Sequence, residues 1–335
     1  MTFSRFLLLL AGCALLPLTA LPKKPVRAEP RAEARIYKGA IVEDAATGNV
    51  LFEDNADAVS PPASVTKLMT FLIVQDRIAS GALTLQTPVK VTAASAKIGG
   101  TQVWLKEGEV FPVEEMLYAL MIQSANDCAH ALACAVAGSP AAFVELMNAR
   151  ARDLGMTHTT FRSPHGLPPA SRRMADGDLT TPRDLATLSR YLLLHTDILK
   201  YTSVRERAFR DGQPVARIVM RNHNHLLGKV AGVDGLKTGF TSGAGFCLAA
   251  TAQRNGRRII AVIMDSPSAK ERDLKMAELL QHGFSALPLM NSPLSLAPLP
   301  APGTSAAPAR AEPTRPDSAA AATDQSVIKF SMPKS

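Results

Sequence analysis

The positions of apolar and polar residues divide the chain into three unequal parts. Residues 6–21 are almost wholly apolar and follow a short basic segment. Residues 35–287 alternate apolar runs with polar breaks at the periods of strands and helices. Beyond residue 287 the pattern dissolves into Pro and Ala. In the middle part, Ala40-Ile41-Val42 and Val50-Leu51-Phe52 flank Thr47-Gly48-Asn49 and predict two strands around a turn. Ser60-Pro61-Pro62-Ala63 stops the second. Val65–Ala79 then carries Leu68, Leu72 and Ile73 at helical spacing, closed by Gly81. Further helices are expected over Pro112–Met121, Asp127–Val136, Pro140–Leu154, Pro182–Leu194 and Lys270–His282. Thr181-Pro182-Arg183-Asp184 supplies a capping hydroxyl, a Pro at the first helical position and an acid in the first turn. Phe246–Ala252 and Arg258–Met264 are apolar runs joined through Asn255-Gly256, a hairpin signal. Strand pairs at both ends with helices between them predict an α+β domain, one antiparallel sheet against a helical cluster.

Composition refines the two ends. The basic start, the apolar run and Val26-Arg27-Ala28 read as a signal peptide over residues 1–28, which makes the protein exported. Leu10-Ala11-Gly12-Cys13 also resembles a lipoprotein cleavage box, so membrane association through the N-terminus, by a retained leader or a lipidated Cys13, stays open. Loss of residues 1–28 removes four basic residues and no acid, halving the formal charge of +8. No long basic run remains, which leaves nucleic-acid binding without support. Residues 29–287 form the expected catalytic domain. Among residues 287–335, nine are Pro and ten are Ala, so residues 288–335 are expected to be a disordered tail.

Three short motifs carry candidate chemistry. Ser64-Val65-Thr66-Lys67 places Ser and Lys three apart at a helix start, on one face. A hydroxyl becomes a nucleophile when an adjacent amine of lowered pKa takes its proton. The spacing alone is unspecific, because Ser326 to Lys329 and Ser331 to Lys334 repeat it inside the tail. Ser124-Ala125-Asn126 stands at a break between helices and offers a proton relay and an amide. Lys237-Thr238-Gly239 precedes the last hairpin, and its Gly lets another segment lie close to the backbone. Each motif alone fits an ordinary cap, turn or surface residue. In the order S-x-x-K, S-x-N, K-T-G they resemble the signature of the penicillin-recognising serine enzymes.

Within that group, Pro62–Thr70, Gln123–Asp127 and Val233–Gly239 resemble the three boxes of the low-molecular-mass D-alanyl-D-alanine carboxypeptidases, family S11. Ser163-Pro164-His165-Gly166-Leu167 and Thr180–Asp184 resemble two further segments of that family. The resemblance covers roughly residues 35–287. It implies the β-lactamase/transpeptidase-like fold, with Ser64 as nucleophile, Lys67 as base and Ser124 as proton relay. Asn126, Lys237, Thr238, Gly239, Phe240 and Arg272 would bind substrate, with the N–H groups of Ser64 and Phe240 as oxyanion hole. Peptidoglycan stem peptides would be the substrates and β-lactams the covalent inhibitors. Neither metal nor cofactor is implied.

Departures from the pattern are expected to matter. His223 stands where relatives often carry Arg, and His223 and His225 could titrate near neutral pH. Phe240 replaces a His found in some members, and Arg172–Asp178 reads as a short insertion. Cys128, Cys134 and Cys247 are expected to pack as small apolar residues rather than pair. Three other readings compete with the carboxypeptidase. A D,D-endopeptidase would cut cross-links on the same fold. A β-lactamase would usually need a Glu for deacylation, and Arg162–Asp178 contains none. A catalytically dead wall-binding protein is opposed by intact Ser64, Lys67, Ser124 and Lys237.

Overall fold

A computed structural model of the chain describes residues 36–212 and 216–287. The expected signal peptide, Cys13 and the Pro/Ala tail lie outside the described residues. The chain opens with strands β1 (Gly39–Asp44) and β2 (Val50–Asp54), then a 3-10 turn at Ala63–Thr66 running into helix α1 (Lys67–Ala79). Next come β3 (Pro88–Lys90), α2 (Ala93–Ala96), β4 (Val110–Pro112) and α3 (Val113–Tyr118), which widens into a π turn at Ala119–Gln123. Helices α4 (Asn126–Ala137), α5 (Pro140–Asp153), α6 (Pro182–His195) and α7 (Ile198–Thr202) follow. Strands β5 (Glu206–Phe209), β6 (Ile218–Arg221), β7 (Val233–Thr241), β8 (Gly245–Arg254) and β9 (Arg257–Ser266) precede the closing helix α8 (Ala269–Ala286).

The main sheet has the order β2-β1-β9-β8-β7, with every pairing antiparallel. The two terminal hairpins meet through β1 and β9. Both faces of the sheet are covered, and this explains the unbroken apolar run Ile259–Met264 in β9. Ile260, Val262 and Met264 point into the larger core with the helical cluster. Ile259, Ala261 and Ile263 alternate onto the other face, against Met276, Leu279 and Leu280 of α8. At the β8–β9 turn, Asn255 and Gly256 both take positive φ (49° and 75°), the conformation that a two-residue hairpin of this type demands. Thr181 caps α6 by accepting from the Asp184 N–H at 3.1 Å.

Sequence pattern missed β7 as a full strand. Val233–Thr241 contains two Gly and a Lys and shows no alternation. It is the edge strand of the sheet, and it packs on the Ala63–Thr66 turn and on α7. The mixed stretch Thr84–Glu109 is expected to hold short strands, and β3 lies in it; β4 and the hairpin β5–β6 fall outside the expectation, as strands of three or four residues give too little periodicity to read. Among the described residues no single helix is long and apolar enough to cross a membrane.

Candidate active site

The nucleophile segment is wedged between two backbones. Ala63 takes φ 47°, turning the chain sharply after Pro61-Pro62, and Ser64 begins the 3-10 turn. On one side lies β7. A Cβ at Gly239 would stand 2.5 Å from Pro62 O and 3.1 Å from Ser64 N. On the other side lies the 163–167 loop. A Cβ at Gly166, whose φ is +82°, would stand 1.9 Å from Ala63 O. Glycine at both positions lets the two segments close on Ser64.

Lys67 follows at the start of α1 and is fully buried. Its Nζ lies 3.0 Å from Ser64 Oγ, 2.6 Å from Asn126 Oδ1 and 2.7 Å from His165 O. Two of these neighbours are carbonyl oxygens, which only accept. An uncharged amine can donate its two N–H bonds to them, leaving its lone pair for the Ser64 hydroxyl. Burial, reinforced by the charge of Lys237, pushes the Lys67 amine well below its usual range and favours that form.

Ser124 ends the π turn with φ 63°, a left-handed conformation uncommon for a residue with a side chain. At the end of this turn Ser124 stands in the wall of the same cavity as Ser64. Asn126 opens α4. Its amide is already engaged, since Oδ1 accepts from Lys67 and Nδ2 donates to Gly99 O at 2.9 Å. One amide N–H remains for a substrate, so much of its work here is to hold Lys67.

Ser64, Ser124, Thr238, Gly239, Phe240 and Arg272 line one cavity of about 280 Å³, together with Thr101, His223 and His225. Lys237 is buried at its edge and donates to Thr238 O at 2.9 Å. Burial and the Arg272 charge push its amine down to about 7. Arg272, on α8, donates to Asp273 Oδ1 at 2.7 and 2.9 Å. His223 does not titrate near neutral pH. Burial, then the Lys237 charge, push it down to about 4 and keep it neutral. Phe240 is 53% exposed and stacks on Phe246 with ring centroids 4.1 Å apart. The nine expected site residues are thus brought together, Lys67, Asn126 and Lys237 buried behind the cavity and the other six on its wall.

Two buried carboxylates escaped the sequence reading. Asp178 accepts from the N–H groups of Arg162 and Ser163 (2.5 and 2.9 Å), and from the hydroxyls of Ser163 and Thr66 (both 3.0 Å). It ties the 162–167 loop to the turn bearing Ser64. Thr70 adds a second tie by donating to Pro164 O at 2.6 Å. Asp127 accepts from Val103 and Leu105 N–H and holds the loop that carries Thr101. Asp127 closes the Gln123–Asp127 box, but the loops that the two acids hold lie 15 or more residues away, so no local pattern marks this role.

The three cysteines are unpaired, Cys128 and Cys247 buried. Among the described residues no group of His, Cys, Asp and Glu is arranged to hold a metal.

The family model for D-alanyl-D-alanine carboxypeptidases of family S11 matches residues 26–268. The chain belongs to that family. It is 34% identical over 248 residues to the D-alanyl-D-alanine carboxypeptidase DacF of Bacillus subtilis, covering 74% of this chain and 62% of that one. Against DacC of Escherichia coli the identity is 36% over 286 residues, covering 82% and 68%. The chain thus spans about two thirds of the length of these curated relatives. A D-alanyl-D-alanine endopeptidase of Pseudomonas aeruginosa is 32% identical over 228 residues, covering 68% and 70%. Among solved structures, DacD of Francisella tularensis superposes with a TM-score of 0.70 at 27% identity, covering 79% and 74%. Penicillin-binding protein D2 of Listeria monocytogenes in its ampicillin-bound form gives 0.66 at 31%, covering 76% and 100%. The S11 family accounts for the α+β fold and for the order of the three motifs.

Proposed function

We propose that the chain is an exported serine D-alanyl-D-alanine carboxypeptidase, which removes the terminal D-Ala from peptidoglycan stem pentapeptides through an acyl-enzyme on Ser64. The observation that carries this reading is the surroundings of Lys67: two acceptor-only carbonyls, and a hydroxyl at 3.0 Å as the third neighbour. That arrangement makes the amine a base for Ser64.

In the first half-reaction Lys67 takes the Ser64 proton as Oγ attacks the penultimate D-Ala carbonyl. The N–H groups of Ser64 and Phe240 hold the oxyanion. Collapse of the tetrahedral intermediate breaks the C–N bond, and Ser124 passes a proton from Lys67 to the departing amine. Thr238, Lys237 and Arg272 hold the carboxylate of the leaving D-Ala. In the second half-reaction water attacks the ester, Lys67 takes its proton, and Ser64 leaves as the hydroxyl. A β-lactam follows the first half-reaction, but its amine stays tethered to the acyl group and the ester persists. The leader at residues 1–28 would deliver the enzyme to the cell envelope, where its substrate lies.

The alternative is a D,D-endopeptidase, in keeping with the Pseudomonas relative. Both break a D-Ala–D-amino-acid bond. Digestion of pentapeptide and cross-linked muropeptides, followed by mass spectrometry, separates the two. The carboxypeptidase reading predicts loss of one alanine from pentapeptides. Conversion of cross-linked dimers to monomers without that loss would replace it with the endopeptidase.

A further inference from the structure

A second cavity, of about 620 Å³, adjoins the catalytic one, and His225 stands in the wall of both. Its basic side chains are Arg205, Arg221 and Lys229, against one acid, Glu206. Arg221 and Glu206 pair at 3.1 Å. Arg205 and Lys229 have no acidic partner among the described residues. The catalytic cavity adds Arg272, paired with Asp273 behind the wall, and the buried Lys237, and no acid lines it. Two cavities of one sign in series concentrate an anion along their length.

The floor between them is built rather than loose. Asn222 donates to Thr202 O and Val204 O, both at 3.0 Å, and accepts from Asn224 N–H at the same distance. Asn224, 2% exposed, donates to Gly235 O at 3.0 Å and accepts from Leu226 N–H at 3.2 Å. These bonds fix the 222–229 segment against the start of β7. Going back along β7, the order is Phe240 at the oxyanion, Thr238 and Lys237 at the leaving group, then Gly235, whose carbonyl accepts from Asn224 in the wall of the second cavity. The second cavity therefore lies on the leaving-group side of the scissile bond.

We propose that this basic cavity is an extended leaving-group site, which takes a D-amino-acid leaving group bearing a further free carboxylate, as in an acidic cross-linked peptide. Alanine carries no second carboxylate to place there. The inference rests on the D,D-peptidase reading of Ser64. It adds that a leaving group larger and more acidic than alanine is accommodated by Arg205 and Lys229.

The test pairs two substrates with the same acyl side. One leaves D-alanine; the other leaves a D-amino-acid peptide with an extra side-chain carboxylate. The variant is Arg205→Gln with Lys229→Gln. For the acidic leaving group, KM should rise roughly three- to tenfold, as expected for two exposed charge contacts, with kcat unchanged. For the D-alanine substrate neither should move. Raised salt should shrink the difference. Equal loss on both substrates, or no change with the acidic one, overturns the proposal. A wild type that cleaves neither would refute the peptidase reading instead. The cavity is then judged by titrating the acidic peptide and its carboxamide onto Ser64→Ala protein. Tighter binding of the acid, lost in the Arg205/Lys229 variant, supports the cavity, and equal binding overturns it.

Discussion

A Lys67→Met protein should fold but be acylated by penicillin about 10²–10⁴-fold more slowly, the usual contribution of a positioned general base. Methionine keeps the length and burial of the side chain. It removes the lone pair facing Ser64 Oγ and the two donors to Asn126 Oδ1 and His165 O. Leaving those carbonyls unpaired costs about 1–3 kcal/mol each, so the melting temperature should also fall. Stopped-flow acylation read beside thermal melting separates the two effects. Near-normal acylation by a folded Lys67→Met protein would remove Lys67 from the chemistry. The pH profile of the wild type belongs to the same account. In the proposed mechanism Lys237 binds the substrate carboxylate while protonated, and burial and the Arg272 charge depress its pKa to about 7. Carboxylate binding is therefore present below that value and lost as pH rises through it. Lys67 works in the opposite sense, since its uncharged form fills as pH rises. The kcat/KM profile should be bell-shaped, with its basic limb centred near 7. Lys237→Arg should move that limb upward, because a guanidinium keeps its proton.

Gly166→Ala should cut kcat/KM by about 10²-fold or more, although residue 166 lies in a loop and does not line the catalytic cavity. Its Cβ would overlap Ala63 O at 1.9 Å, and its φ of +82° disfavours any side chain. Either the turn bearing Ser64 or the 163–167 loop must shift. A shift of about 1 Å at a nucleophile is enough for a loss of that size. The loop also supplies the His165 carbonyl to Lys67, so base and nucleophile are displaced together. Gly243→Ala is the control, because a Cβ there meets nothing within 4 Å. Equal activity of the two variants would show that Ser64 is not held by this close approach.

The parts of this site legible in the sequence were those carried by short contiguous strings. Ser64 and Lys67 are three apart on one helical turn, Ser124 and Asn126 two apart across a helix break, and Lys237 to Gly239 adjacent on one strand. Even so, spacing alone did not point to Ser64, since the tail repeats it twice; the order of all three motifs did. The Thr181-Pro182 start of α6 and the Asn255-Gly256 turn were legible because their backbone conformations depend on their own residues. What stayed hidden depends on distant chain segments. Asp178 acts 112 residues from Thr66. Strand β7 lacks alternation, because its sequence serves the cleft and the close approach of Gly239 rather than a half-buried face. The π turn before Ser124 leaves no composition signal of its own. The engagement of Asn126 with Lys67 spans 59 residues and adds a hold on the Lys67 amine to the substrate contact expected of it.

Intact-protein mass spectrometry after brief exposure to benzylpenicillin, with peptide mapping of the adduct, tests the central claim most directly. The wild type should gain the mass of one penicillin, located on the peptide that contains Ser64, and Ser64→Ala protein should gain none. An adduct on Ser64→Ala protein, or a wild-type adduct mapped to any other residue, would contradict the assignment of Ser64 as the nucleophile.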